Sequence, residues 1–448
     1  MKKRPSLKSF FSPKSVAIIG ASAKEGKFGY QIIKNLKNIK YKGKIYLVNS
    51  KSKSKSNILD FPTYSSIKEL PEVPELTVIV LPPKEALKAV YKSLDFGIKN
   101  IMLESSFISE EIEDELRSAS CQMGFRIMGS NTIGLINFND RFSTSIIPVR
   151  CKIGKDAQVG YIAQSGGLAG GCGWWKPHTG CGFSKVIHLG RSCDINEAEV
   201  IEYLTEDDNT KVITLFLKRV SDRIINTVKI CVKIKPIIFL KIENSPPFDK
   251  LEKAGAIPVT TYQDLFEISK AFIQAPLLKG ENIGIIGPSS GALSLITSKL
   301  KESNLKVAKN LSPKTEKILR ENVLHKDSKI LNPVDYWPPT KFDGEEVCNK
   351  YKAATEALLA DKNVDAVIII LELFREIEFN IIKAFSGLKE KYPTKPIIAA
   401  CVQVEPDVLK RVLEGLSEIN MLCYDFNIEK SVQALSALRK FELIKRKQ

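Results

Sequence analysis

The sequence predicts an α/β protein built as doubly wound parallel sheets, and three observations carry that prediction. Short apolar runs alternate with stretches of helical periodicity along all 448 residues. Three of the runs, ending at Ile19, Ala163 and Ile286, are each followed by a turn of small residues and then a helix. At about 150 residues per domain the length gives roughly three domains, and the repeated device sets their bounds at 1–139, 140–279 and 280–448.

The first unit opens on Ser15–Gly29. Val16–Ile19 reads as a buried strand, and Gly20 ends it where the backbone must turn sharply. Ala21, Ser22, Ala23, Gly26 and Gly29 keep the turn small, so an anion can approach the first amides of a helix predicted over Tyr30–Leu36. This is a seat for a nucleotide or coenzyme. The spacing departs from Gly-x-Gly-x-x-Gly, with Ser22 in place of the second glycine. Further strands are expected over Lys44–Asn49, Thr77–Leu81, Asn100–Leu103 and Arg126–Gly129, with helices over Lys84–Phe96 and Glu110–Met123. Pro82-Pro83 stops the third strand. Ligands of such sheets lie beyond the carboxyl ends of the strands, where Gly20, Ser22, Asn49, Leu81, Pro82, Ser105 and Asn131 gather on one rim. Lys51, Lys53 and Lys55 alternate with serine in a basic loop, in which Lys53 and Lys55 read as solvated.

The second unit begins with a strand over Gln158–Ala163, the turn Gln164–Gly167 and a helix reaching Trp174. A strand over Phe183–Leu189, a helix over Asn196–Leu204 capped by Asp194, and strands over Val212–Leu217 and Pro236–Lys241 follow. The third unit repeats the device at Asn282–Gly287, the turn Pro288–Gly291 and a helix over Ala292–Lys301. Strands over Asp365–Leu371 and Pro396–Cys401 and a closing helix over Ile428–Lys440 complete it.

Composition narrows the class. With 44% hydrophobic residues a sizeable core is affordable. The nine cysteines are scattered without a Cys-x-x-Cys, and there are three histidines, so neither a zinc cage nor a disulfide framework is indicated, and no metal is expected. Reduced thiols and the lack of a long apolar run give a cytoplasmic protein with no membrane partner. The net charge of +16 is spread along the chain with no nucleic-acid motif, so it reads as a solvated lysine excess that also favours a polyanionic small ligand.

Six stretches together resemble one family: Ser12–Ser22, Tyr46–Lys51, Gly129–Asn137, Gln164–Gly167, Gly190–Ala198 and Asn332–Asp335. In this order and spacing they are similar to the α subunit, or α half, of the NDP-forming acyl-CoA synthetases. These include ADP-forming acetate–CoA ligase and are related to succinyl-CoA synthetase. The resemblance covers nearly the whole chain. It implies an N-terminal Rossmann-like CoA-binding domain followed by two flavodoxin-like domains of the succinyl-CoA synthetase type. It implies CoA or acyl-CoA as ligand, with Gly20, Ala21, Ser22, Lys24 and Gly29 at the phosphates and Asn49 and Lys51 at the adenosine end. Leu81, Pro82 and Ser105 would line the pantetheine path, and Gly129 and Asn131 would lie near the thiol. Ser165, Gly166 and Gly167 would aim a helix N-terminus at a histidine-borne phosphate, and Ser289, Ser290 and Gly291 occupy the corresponding turn of the last domain. ATP, ADP and magnesium would enter only through a partner ATP-grasp β subunit, since no ATP-grasp segment is present. An oligomer with such a chain, or with an active homologue, is implied.

The chain departs from the family where the phosphoryl group is carried. The segment Lys241–Gly255 takes the place of the family's Ser-His-Thr-Gly loop and holds no histidine. Lys218 stands where the family has a supporting glutamate. His178, in Pro177-His178-Thr179-Gly180, lies in a connection where the family has no catalytic residue and is kept as a secondary catalytic candidate. His188 reads as a satisfied core or rim histidine, His325 as a surface residue and Trp174-Trp175 as helix-end packing. The leading expectation is a CoA or acyl-CoA binding protein without its own phosphohistidine chemistry. The alternative is an active α subunit using His178 or a histidine from its partner. A nicotinamide-binding protein is disfavoured, because Asn49-Ser50-Lys51 offers no acid to a ribose diol.

Overall fold

The computed structural model describes residues 5–51, 56–150, 157–174, 182–324, 328, 331–336, 341–425 and 427–447. The chain divides into two compact units, Met1–Thr261 and Tyr262–Gln448. Unit 1 holds two sheets and unit 2 one.

The first sheet contains β1 (Ser15–Ile19), β2 (Lys44–Val48), β3 (Ser56–Ile58), β4 (Phe61–Tyr64), β5 (Leu76–Ile79), β6 (Asn100–Leu103) and β7 (Arg126–Gly129). Their spatial order is β3-β4-β2-β1-β5-β6-β7, parallel throughout except for the β3–β4 hairpin. All five residues of β1 are buried, as a strand covered on both faces by helices requires. The chain leaves β1 toward β2 on one side and later returns to β5 on the other. A crevice therefore opens beyond the ends of β1 and β5, the point where ligands of such sheets lodge.

The second sheet contains β8 (Leu135–Asn137), β9 (Phe142–Ser143), β10 (Ala157–Ala163), β11 (Gly182–Ile187), β12 (Val212–Phe216), β13 (Ile237–Leu240) and β14 (Ile257–Val259), in the order β14-β13-β12-β10-β11-β8-β9. β8 and β9 are antiparallel additions at its edge. The third sheet, in unit 2, contains β15 (Asn282–Gly287), β16 (Lys306–Val307), β17 (Val334–Asp335), β18 (Ala366–Leu371), β19 (Ile397–Cys401) and β20 (Leu422–Asp425). Its order is β16-β15-β18-β19-β20, with β17 also beside β15. The Asn332 amide braces it by accepting from Ile285 N–H at 2.9 Å and donating to the Ile283 and Ala308 carbonyls.

The expected long elements are present, and the differences have local causes. The helix after β10 ends at Gly171, short of Trp174. Glycine is a poor helix former, and the chain tightens into three-residue turns through Cys172, Gly173 and Trp174. Asp194 does not cap the helix Glu197–Glu206. Asn196 does so, its side chain accepting from Glu199 N–H. The short strands β3, β4, β8, β9, β14, β16 and β17 give no periodic signal, and β8 and β9 flank residue 139 as one hairpin of the second sheet.

Asp194 has another task. Arg126, at the start of β7, places Nε 3.0 Å from Asp194 and Nη2 2.7 Å from Glu199, with Arg126 and Asp194 side chains at 6% and 3% exposure. Asp194 also accepts from Ile127 N–H at 2.9 Å. A second tie runs from Asn35, fully buried on the helix Phe28–Asn38, whose amide donates to the carbonyls of Ser145 and Ile147 and accepts from Val149 N–H. The two sheets of unit 1 are thereby joined by buried polar groups that must stay paired. Arg126→Met should lower the unfolding free energy by about 3–5 kcal/mol in a denaturant titration, and adding Asp194→Asn should recover part of it. A loss below about 1 kcal/mol would put the cluster on a par with an exposed ion pair.

Candidate functional site

The first crevice is shaped by what cannot be there. A Cβ on Gly20 (φ +97°) would lie 2.2 Å from the Val80 carbonyl oxygen, and one on Gly29 would lie 2.2 Å from the Gly20 carbonyl oxygen. The helix Phe28–Asn38 can thus start directly against the turn that ends β1. Its N-cap, Lys27, makes no side-chain capping bond, and its first turn carries no acid. The leading amides are left to an anion. Ser22 Oγ accepts from Lys24 N–H at 3.1 Å, and the Lys24 side chain is exposed.

The rest of the rim assembles around this turn. The Asn49 amide donates to the Ala21 carbonyl at 2.9 Å and accepts from Lys51 N–H at 2.9 Å. Asn49 therefore shapes the loop, and the Lys51 side chain is exposed. Leu81 N–H reaches Ser105 Oγ at 3.3 Å, and Asn131 N–H donates to the Ser105 carbonyl at 3.0 Å. Pro82 is exposed beside them and Gly129 is buried beneath. Gly20, Ser22, Asn49, Leu81, Pro82, Ser105 and Asn131 thus lie just beyond the ends of β1, β2, β5, β6 and β7.

From Gly129 to Gly134 the chain crosses from the first sheet to the second. The Gly129–Ser130 peptide is cis, and Gly129, Asn131 and Gly134 have positive φ. The Ser130 hydroxyl bonds the Glu113 carboxylate. On the far side lies the stretch that follows β11. Cys193 N–H donates to Gly129 O at 2.8 Å, Arg191 N–H to Ser130 O at 2.9 Å, and the Thr132 hydroxyl to His188 O. Ile133 N–H donates to His188 Nδ1 at 3.1 Å, which puts the proton of the neutral ring on Nε2. His188 is 8% exposed. Burial, aided by the Lys218 ammonium, pushes its pKa down to about 4. Beneath the loop lies the Glu104 carboxyl, 4% exposed beside Thr144, and burial raises its pKa well above the usual range.

The second crevice, beyond β10 and β12, is organised by Gln164. Its side-chain oxygen accepts from Lys218 and Arg219 N–H at 2.8 and 2.9 Å, and its amide donates to Glu197 at 2.7 Å. Lys218 is exposed, and its charge is felt at His188. Gly166 abuts the His188 ring, since a Cβ there would lie 3.5 Å from Cε1. The helix Gly166–Gly171 beginning at this turn has six residues, and its N-cap Ser165 makes no side-chain capping bond. In the third crevice Ser289 caps the helix Ser290–Glu302 itself, its side chain accepting from Ala292 N–H. A half-buried carboxyl, Glu372, lies against Ser289, and burial raises its pKa. Ser290 and Gly291 are exposed there. The three turns share a backbone plan and differ in charge.

In the sequence His188 reads as a satisfied core or rim histidine, which agrees with its burial and its Nδ1 bond, whereas Gln164 carries no marked role. Nothing in an apolar run marks a histidine whose Nδ1 partner lies 55 positions away. His178, His325, Trp175, Lys53 and Lys55 lie outside the described residues. Among the described residues no helix is long and apolar enough to cross a membrane.

Comparison with known proteins agrees with this geometry. Residues 14–137 match the CoA binding domain model, and residues 156–250 match the succinyl-CoA ligase like flavodoxin domain model. The acetate–CoA ligase [ADP-forming] II of Archaeoglobus fulgidus is 30% identical over 98% of this chain and 67% of its own length. The α subunit of acetate–CoA ligase [ADP-forming] I from Pyrococcus furiosus is 28% identical over 99% of both chains. A crystal structure from Pyrococcus horikoshii OT3 superposes with a TM-score of 0.85 at 26% identity, covering 98% of this chain and 100% of that one. A parallel sheet with this glycine-walled crevice, followed by a succinyl-CoA ligase-like sheet, defines a CoA-binding, α-subunit-like protein. The chain belongs to the ADP-forming acetate–CoA ligase family.

His188 makes stability depend on pH in a defined direction. Its folded pKa of about 4 lies below the unfolded value near 6.5, so the unfolded chain takes up the proton first as pH falls. The contribution is complete above about pH 6.5 and is lost toward pH 4, amounting to up to about 3 kcal/mol. Denaturant titrations at pH 7 and pH 4.5 should show a smaller drop for His188→Gln than for the natural chain. Parallel drops would contradict the assignment.

Proposed function

We propose that the protein holds CoA or an acyl-CoA in the first crevice and does not itself run a phosphohistidine relay. The observation that carries the first half is the uncapped, acid-free start of the helix Phe28–Asn38 against Gly20, flanked by the exposed Lys24 and Lys27. The phosphates sit there with Gly20, Ala21, Ser22 and Gly29. Asn49 shapes the adenosine end and Lys51 meets its additional phosphate. Leu81, Pro82 and Ser105 flank the pantetheine, and the thiol ends near Gly129 and Asn131. CoA supplies the thiol on which an acyl group rides. We read this as the work of a domain spanning 1–139, with 140–279 and 280–448 as the two that follow.

The second half rests on the connection from β13 to the helix Pro246–Lys253. It consists of 241–245 and contains no histidine. Lys218, a cation, occupies the loop after β12. A carboxylate such as Glu243 or Asp249 would give a different phosphoryl species. The relatives named as α subunits favour a partner chain. We infer an ATP-grasp β subunit or an active homologue, through which ATP, ADP and magnesium would enter. The free thiols among the described residues suit a reducing, cytoplasmic setting. The second reading, an active α subunit of an ADP-forming acyl-CoA ligase, is favoured by the identity to whole-length relatives and needs His178 or a partner's histidine as carrier.

Calorimetry with CoA, dephospho-CoA and NADP tests the coenzyme. CoA should bind most tightly, and Lys51→Ala should weaken it about fivefold while leaving dephospho-CoA unaffected, as for a solvent-screened charge pair. Equal affinity for CoA and dephospho-CoA would remove Lys51 from its role. Incubation of the chain with an ATP-grasp partner, labelled ATP and acyl-CoA should leave no acid-labile phosphoryl label on it. A label that disappears in His178→Ala would establish the second reading.

A further inference from the structure

The Nε2–H of His188 has no acceptor among the described residues. The ring is buried, its Nδ1 is taken by Ile133 N–H, and among the described residues nothing bonds Nε2. A tautomer fixed this way has no lone pair on Nε2, so His188 cannot take the place of a phosphoryl-accepting histidine. What it can do is give one hydrogen bond, in one direction, to an oxygen. Its surroundings keep the ring neutral, so that it acts as a hydrogen-bond donor and not as an acid. The charge of the exposed Lys218 ammonium acts on the ring and opposes protonation of the imidazole. Gly166 packs beside the ring, and a Cβ on the neighbouring Gly167 would meet nothing within 4 Å, so space opens next to it.

The position ties this donor to the coenzyme rim. Asn131 is bonded to Ser105 on the rim, and Ile133, bonded to His188, is two residues further on, at most about 7 Å along the chain. The loop between them is bonded at Gly129, Ser130 and Thr132 to the stretch that follows β11, so the two ends hold a fixed separation. A group attached to a thiol near Asn131 would extend toward the imidazole.

We propose that His188 donates Nε2–H to the carbonyl oxygen of an acyl thioester, so that the protein distinguishes acyl-CoA from CoA. The inference rests on the CoA reading of the first crevice. It gives the second sheet a binding role: the first sheet grips the coenzyme, and one residue at the end of β11 reads whether the thiol is loaded.

The test compares acetyl-CoA with S-ethyl-CoA, a thioether of similar size without the carbonyl, on the full chain by calorimetry. The natural protein should bind acetyl-CoA about three- to tenfold tighter, the worth of one net hydrogen bond. The ratio should fall to near one in His188→Leu and persist in His188→Gln, whose amide keeps a donor at the ε position. A ratio near one in the natural chain, or one unchanged in His188→Leu, overturns the proposal. Should the leucine variant fail to fold, infrared spectra of carbonyl-labelled acetyl-CoA on the natural chain decide it. A thioester band moved to lower wavenumber supports the bond, and a band at its position in water overturns it. If none of the three, CoA included, binds, the coenzyme reading itself falls and takes this proposal with it.

Discussion

The loop Gly129–Gly134 is hydrogen-bonded on both sides at once, and the functional arrangement of unit 1 depends on it. One side donates to the strand ends of the first sheet, from Asn131 N–H to the Ser105 carbonyl, and the other is laced to His188, Arg191 and Cys193. Positive φ at Gly129, Asn131 and Gly134 is what lets a short segment present its polar groups in both directions. A Cβ on Gly190 would lie 2.0 Å from the Ser130 carbonyl oxygen, so the facing stretch too is limited to glycine at the closest point. Buried polar groups held this closely fix one geometry, because leaving any of them unpaired costs a desolvation penalty.

The three repeated turns show how one backbone plan is turned to different ends by its side chains. At β1 the turn is followed by an uncapped helix with lysines around it. At β10 a glutamine amide ties down the next strand's loop, which carries a lysine whose charge is felt at a histidine. At β15 a serine closes the helix start and a carboxyl lies beside it. An anion is favoured at the first, meets an exposed cation at the second, and finds an amide already engaged at the third.

The sheet architecture and the first rim were legible in the sequence because both are local. β1, with Gly20 and the small residues behind it, announces a buried strand and a tight turn within fifteen positions, Asn49 and Leu81 stand at the ends of apolar runs, and Ser105 comes two residues after another. The second site was not legible in the same way. His188 follows the apolar run of β11 and reads as a satisfied core or rim histidine, but its partner, Ile133 N–H, is set by the fold. The cap of the helix Glu197–Glu206 went to Asn196 because Asp194 was drawn to Arg126, a partner 68 positions away. Very short strands such as β8 and β9 carry too few residues to show a period, and their pairing is decided by the sheet they complete.

The closeness of Gly20, Gly29 and the Val80 carbonyl has a consequence for how such a protein can diversify. The floor of the crevice has no room for experiment, since any side chain introduced there strikes main chain that cannot move aside. On the coenzyme reading proposed above, changes in ligand preference would be confined to the margins: the lysine-bearing loop after β2 and the tip of β11. Descendants of this chain would be expected to differ in what they tolerate at the two ends of the bound molecule while gripping its middle in the same way.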